Sequence, residues 1–159
     1  DHSPFCEKGF TAVRICEFNE NYNRTHKIPA IVNGIQEGDL PEYVDYEYVR
    51  KNAGMNLAVI ANLALAPKEP VNCGIVTGGL ANSTTLRWEA PAAGPKPSGY
   101  YVLMRETFQP LWERKIFVKG TEVALPYSKD NYFFAVQSVG GSGHESLPVF
   151  PGQARRTGR

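Results

Sequence analysis

The sequence predicts a two-part chain: an α/β fragment followed by a small all-β sandwich. Three observations carry this. From Pro41 to Ala66 the apolar residues recur with a helical period, and after Pro70 the period becomes two. Between them "ALAPKEPVN" (64–72) is a short, proline-stiffened linker. With 159 residues, 42% hydrophobic and 21% charged, the chain is able to bury a core and is not of the disordered class.

In the first part, "FTAVRICEF" (10–18) reads as a short strand after the Gly9 turn, built on Val13, Ile15 and flanking aromatics. The long helical run then places Val44, Tyr48, Met55, Val59 and Leu63 on or near one face, with Val49, Ala53, Leu57 and Ile60 widening it. Asp39 or Pro41-Glu42 starts the helix, with Glu42, Asp45 and Glu47 suited to the positive end of its dipole. Pro67 ends it, and Gly54 costs up to about 1 kcal/mol within it. One strand and one helix do not close a layer, so residues 1–66 are expected to need a partner surface.

The second part alternates. "STTLRWEA" (83–90), "SGYYVLMRET" (98–107), "WERKIFV" (112–118), "EVALP" (122–126) and "NYFFAVQSV" (131–139) are separated by Gly, Pro, Asn and Asp, the rhythm of a sandwich. The sandwich is placed at 67–152 and a basic tail, "QARRTGR", at 153–159. A net charge of +1 gives no long-range pull toward nucleic acid or an anionic membrane. No apolar run reaches the roughly 18 residues of a membrane span, so neither partner is expected. The chain opens without Met or a signal-peptide pattern, which places its start inside something longer or processed. Cys6, Cys16 and Cys73 are odd in number and lack zinc-knuckle spacing. Cys6 and Cys16 pair only if their segments run side by side; buried free thiols are the simpler reading.

The β half resembles a fibronectin type III domain. The resemblance rests on Pro70 before the first strand, Trp88 in the second, Tyr100 or Tyr101 with Val102 in the third, and "LPYSKDNYFFAVQSV" leading through Tyr132. "GGSGHESLPVF" is then the last hairpin. Such modules serve as spacers, binding platforms and stabilisers alike.

The first half, "DHSPFCEKGFTAVRICEFNENYNRTHK" and then "GDLPEYVDYEYVRKNAGMNLAVIANLALAP", resembles the C-terminal end of the catalytic domain of secreted bacterial dizinc aminopeptidases. These are zinc exopeptidases of the leucyl aminopeptidase and glutamate carboxypeptidase type. The resemblance implies the end of a three-layer domain: strand, loop and long helix. It implies that His26 is a zinc ligand and that Asp1, His2, Phe5 and Glu17 border the substrate pocket. It also implies two zinc ions, peptide substrates and a secreted or periplasmic location. In such enzymes a zinc-bound hydroxide attacks the first peptide bond. The other ligands and the general base lie in sequence this chain does not contain. The remainder of the catalytic domain is therefore an implied partner, and the fragment alone is expected to be inactive. The alternative is a non-catalytic fibronectin-like module attached to a degenerate peptidase remnant.

From spacing alone, His26 reads as a solvated loop histidine, because no second ligand stands at metal-binding spacing. His2 beside Asp1 reads as a terminal loop residue, and His144 as plain surface. Glu17 and Glu20 follow a strand into a turn and need not face the same way, so they are not taken as an acid/base pair. "NRT" at Asn23 and "NST" at Asn82 match the glycosylation sequon, which a bacterial source would leave idle. The aromatics Tyr100, Tyr101, Phe108, Trp112, Tyr132, Phe133 and Phe134 fill a core unless they prove exposed together.

Overall fold

The structure is a computed structural model that describes residues 1–76 and 82–153. It separates into two compact units, Asp1–Asn52 and Ala53–Arg159. Most of the basic tail, residues 154–159, lies outside the described residues.

In the second unit the alternating runs become strands. β3 (Val71–Val76), β4 (Thr84–Glu89), β5 (Gly99–Glu106), β6 (Arg114–Val118), β7 (Glu122–Leu125) and β8 (Tyr132–Val139) precede the two-residue β9 (Gly152–Gln153). They form two sheets, ordered β7-β4-β3-β9 and β6-β5-β8. Strict alternation along β4 turns Thr84, Leu86 and Trp88 inward. There they meet Tyr100, Val102 and Met104 of β5, Leu125 of β7, and Phe134 and Val136 of β8. The Trp88 and Tyr100 rings stack edge-on, 5.4 Å between centroids. The Trp88 indole nitrogen is buried without a hydrogen-bond partner among the described residues.

The last segment is more than a hairpin. Glu145 and Val149 bridge to Val139 and Val136 of β8, antiparallel, after which β9 runs parallel to β3 in the opposite sheet. One stretch of chain thus ties both layers together, and β-sandwich architecture is established for this half. Of the aromatics weighed as a platform, Tyr100 and Phe134 belong to the core, while Phe108 and Phe133 are exposed.

The long helix forms as α2 (Tyr46–Leu65). It starts later than Asp39 or Pro41: residues Pro41–Tyr43 make a 3-10 turn, and Asp45 is the cap. The Asp45 carboxylate accepts from the backbone N–H groups of Glu47 and Tyr48, both at 3.0 Å, satisfying two orphan donors. No residue of α2 is buried. Its half-buried positions are asparagines, Asn52, Asn56 and Asn62, while Leu57, Val59 and Ile60 are exposed. The apolar face read from the sequence is real and lies uncovered among the described residues.

The strand expected over residues 10–18 does not form. The segment has β-type residues but no neighbouring strand among the described residues to take its backbone hydrogen bonds, and an isolated strand is not stable. Two elements were not expected. A short helix, α1 (Ser3–Glu7), follows His2, and a two-stranded hairpin joins β1 (Ala30–Val32) to β2 (Ile35–Glu37). The turn is Asn33-Gly34, with φ of 51° and 80°, the left-handed pair that a tight two-residue hairpin requires.

Candidate functional site

His26 stands in a loop held shut at its base. The Gly38 N–H donates to the Asn23 carbonyl at 2.9 Å, and the Asp39 N–H to that of Lys27 at 3.0 Å. The Lys27 ammonium bridges Asn23 Oδ1 at 3.0 Å and the Glu37 carboxylate at 2.8 Å. Gly38 is buried at φ 117°, and a Cβ there would lie 2.4 Å from Pro29 Cα, so only glycine closes this loop. Within it His26 is exposed and adopts φ 55°, a left-handed conformation uncommon for a residue with a side chain. A non-glycine residue held there stores strain of order 1–3 kcal/mol.

Beside this loop the first unit has a cleft of about 440 Å³, lined among others by Glu17, Glu20, Arg24, Thr25, Asp39 and Tyr43. Its walls carry both signs of charge. Arg14 pairs with Glu20 at 3.3 Å, and the Arg24 guanidinium lies 4.0 Å from the centre of the Tyr43 ring. Of the residues singled out from the sequence, Glu17 lines this cleft, and Thr25, the neighbour of His26, lines it too. Asp1, His2 and Phe5 do not line it. His2 instead heads α1, its carbonyl accepting from the N–H groups of Phe5 and Cys6 at 3.0 and 3.1 Å. Its Nδ1 is buried with no partner among the described residues, and Phe5 is exposed.

No group of three His, Cys, Asp or Glu side chains converges among the described residues. A zinc centre takes three or four protein ligands. These residues therefore do not make a metal site by themselves, and no chemical step is derived through a metal. The three cysteines are free thiols. Cys6 and Cys16 are exposed rather than buried, Cys16 on the wall of the cleft. Cys73 alone is half-buried, and burial pushes its thiol up to about 11.

A second surface, on the sandwich, escaped the sequence because exposure is not visible there. The Arg105 guanidinium lies 4.6 Å from the Phe133 ring centre and 5.6 Å from that of Trp112, and donates to the Gln109 carbonyl. Trp112 in turn meets Phe150 at 5.6 Å, and Phe108, Leu111 and Phe150 are all more than half exposed.

The chain is similar to proteins named "Probable zinc metalloprotease" from fungi. It is 38% identical over 155 residues to one from Pyrenophora tritici-repentis, covering 95% of this chain and 36% of that protein. It is 40% identical over 152 residues to one from Leptosphaeria maculans, covering 95% and 35%. The chain thus spans about a third of the length of the curated relatives it matches. No protein-family description matches it. Among solved structures it is similar to a titin module from human cardiac muscle, with 23% identity and TM-score 0.43 over 56% of this chain and 90% of that one. An Fn3-like protein from Clostridium thermocellum gives 20% identity and TM-score 0.43 over 59% of this chain and 99% of that one.

Proposed function

We propose that this chain is the C-terminal part of a zinc metallopeptidase of the aminopeptidase type, secreted or periplasmic, ending in a fibronectin-like module. The observation that carries the reading is the extent of the similarity. Identity of 38% with a protein named as a zinc metalloprotease runs over 95% of the chain, so it takes in the His26 loop and α2 as well as the sandwich. In the intact protein His26 contributes one zinc ligand, and the remaining ligands come from the rest of the catalytic domain. Glu17, which lines the cleft beside the His26 loop, faces the peptide, and Asp1, His2 and Phe5, which do not line that cleft, border the pocket once the rest of the catalytic domain is in place. The apolar face of α2, left uncovered by the described residues, supports the reading, since the rest of a catalytic domain would cover it.

The test is made in the full-length protein. His26→Ala is expected to lower bound zinc, measured by elemental analysis, and to abolish release of N-terminal residues from peptides. Zinc content and turnover equal to those of the unaltered protein would rule His26 out as a ligand.

A second reading has its own observation, the aromatic surface around Arg105. Here the sandwich is a non-catalytic binding module and the first unit a degenerate remnant. A full-length protein free of zinc and without peptidase activity would favour it.

A further inference from the structure

The two sequons, Asn23-Arg24-Thr25 and Asn82-Ser83-Thr84, are equivalent as sequence and different as structure. Asn23 is a working part of the His26 loop. Its side-chain oxygen accepts from the Lys27 ammonium at 3.0 Å, its N–H donates to Asn21 Oδ1 at 3.1 Å, and its carbonyl holds the Gly38 N–H. The next two residues, Arg24 and Thr25, line the cleft. A bulky substituent on Asn23, even one added before folding, would keep the Lys27 contact from forming and crowd that cleft, so a chain modified there is not the one that folds and is secreted.

Among the described residues Asn82 carries no such duties. It stands exposed in the bend leading into β4, followed by exposed Ser83. Thr84 then turns inward, 1% exposed, its hydroxyl donating to the Tyr127 carbonyl at 2.7 Å. The acceptor residue is therefore exposed, while the hydroxyl that completes the sequon is locked inside the sandwich.

We propose that Asn82 is a site of N-linked glycosylation and that Asn23 is not. The proposal rests on the secreted reading above, since the donor is met only on a secretory route. The relatives described are fungal, so the objection drawn from a bacterial source finds no support in them. The co-substrate is a lipid-linked oligosaccharyl diphosphate. The Asn82 side-chain nitrogen attacks the anomeric carbon, a C–N bond forms, and the C–O bond to the diphosphate breaks. The diphosphate leaves with the bonding electron pair, the amide gives up one proton to a base of the transferase, and nothing is oxidised or reduced.

The burial of Thr84 sets the order of events. A transferase that reads the whole sequon needs the Thr84 hydroxyl, and the closed sandwich withholds it. Transfer must precede the pairing of β4 with β7, whose register sets Thr84 opposite Leu125. The finished glycan then projects from the β4 end of the sandwich into solvent, where such groups raise solubility.

The experiment directs the full chain through a eukaryotic secretory route behind a cleavable leader and maps the secreted product by mass spectrometry after enzymatic glycan release. The expected result is a glycan at Asn82, none at Asn23, loss of the glycan in Asn82→Gln and no change in Asn23→Gln. A secreted chain bare at Asn82, or modified at Asn23, overturns the proposal. Presenting purified oligosaccharyltransferase with folded and with denatured unmodified chain tests the order. The denatured chain alone is expected to accept, and equal acceptance by the folded chain refutes that part. Protein from its natural source that is found inside the cell and unglycosylated would overturn the secreted reading, while the leader-directed result still decides Asn82.

Discussion

The side-chain amide of Asn62, near the end of α2, holds the backbone of Glu145 from both sides. Its Nδ2 donates to the Glu145 carbonyl at 3.0 Å, and its Oδ1 accepts from the Glu145 N–H at 3.4 Å. His144 Nδ1 lies 3.4 Å from the same oxygen and donates to it in the Nδ1–H tautomer. The Glu145 carboxylate is held in turn by Lys115 and Gln137. A helix that buries no apolar residue is thereby joined to the sandwich by polar contacts. Asn62→Leu strands two backbone groups and is expected to cost about 1–2 kcal/mol, within the range for a part-buried polar group left unmet. Urea unfolding and proteolysis within the 64–72 linker check this, and an unmoved midpoint with an equally resistant linker would show that the clamp contributes nothing.

Trp88 is 2% exposed at the centre of the sandwich, against Leu86, Tyr100 and Met104. Trp88→Ala removes the largest core side chain and leaves a cavity, expected to cost about 3–5 kcal/mol. Trp88→Phe keeps the ring contact with Tyr100 and is expected to cost less. Denaturant midpoints of the two variants give the comparison, and equal midpoints would contradict the packing.

The sandwich was legible because alternation and burial coincide there: β4 reads Leu86 and Trp88 in, Arg87 and Glu89 out, and the structure agrees. Residues 10–18 misled because Val13 and Ile15 report β preference, whereas a strand exists only if something pairs with it. The β1–β2 hairpin escapes the pattern although Asn33-Gly34 is a strong turn signal, because its strands are three residues each and bury no face that would make them alternate. Of the site, residue types were legible and the company they keep was not. Nothing in the spacing told that Glu17 and Thr25 share a cleft, or that Trp112 and Phe133 meet at Arg105 with Phe150 beside Trp112.

The thiols divide by exposure. Burial raises the Cys73 pKa to about 11 from its ordinary value of 9.0, so its thiolate is scarce near pH 8. Thiol reagents are expected to label exposed Cys6 and Cys16 promptly and Cys73 only on unfolding. The sign of the linked stability follows: a folded pKa above the unfolded one favours the folded state below pH 9, and that contribution is lost as pH rises toward 11. Urea midpoints that fall between pH 9 and 11 in the unaltered protein, and fall less in Cys73→Ala, would bear this out. Rapid labelling of Cys73 in the folded state would contradict it.

Leu57, Val59 and Ile60 are each more than half exposed on α2. An apolar stripe of this kind binds dyes and promotes association. The isolated chain is expected to bind an apolar fluorophore and to self-associate. The double variant Leu57→Glu with Ile60→Glu is expected to relieve both without lowering the sandwich's unfolding midpoint. A dye-silent, monomeric, cooperatively folded chain would remove the case for a missing partner layer.

The left-handed backbone of His26 allows its conformation to be separated from its chemistry. Asn tolerates φ near 55° better than His and lacks an imidazole, and Gly tolerates it best. In this chain both His26→Asn and His26→Gly are expected to leave the loop intact, with the Gly variant steadier by up to about 1 kcal/mol from relief of strain. Hydrogen exchange at the Gly38 and Asp39 amides, which close the loop onto Asn23 and Lys27, reads this directly. In the full-length protein the same two variants are expected to lose zinc although the loop is sound. Loss of zinc with unchanged exchange assigns the imidazole a ligand's role. Retained zinc with slower exchange in the Gly variant makes His26 a strained surface residue.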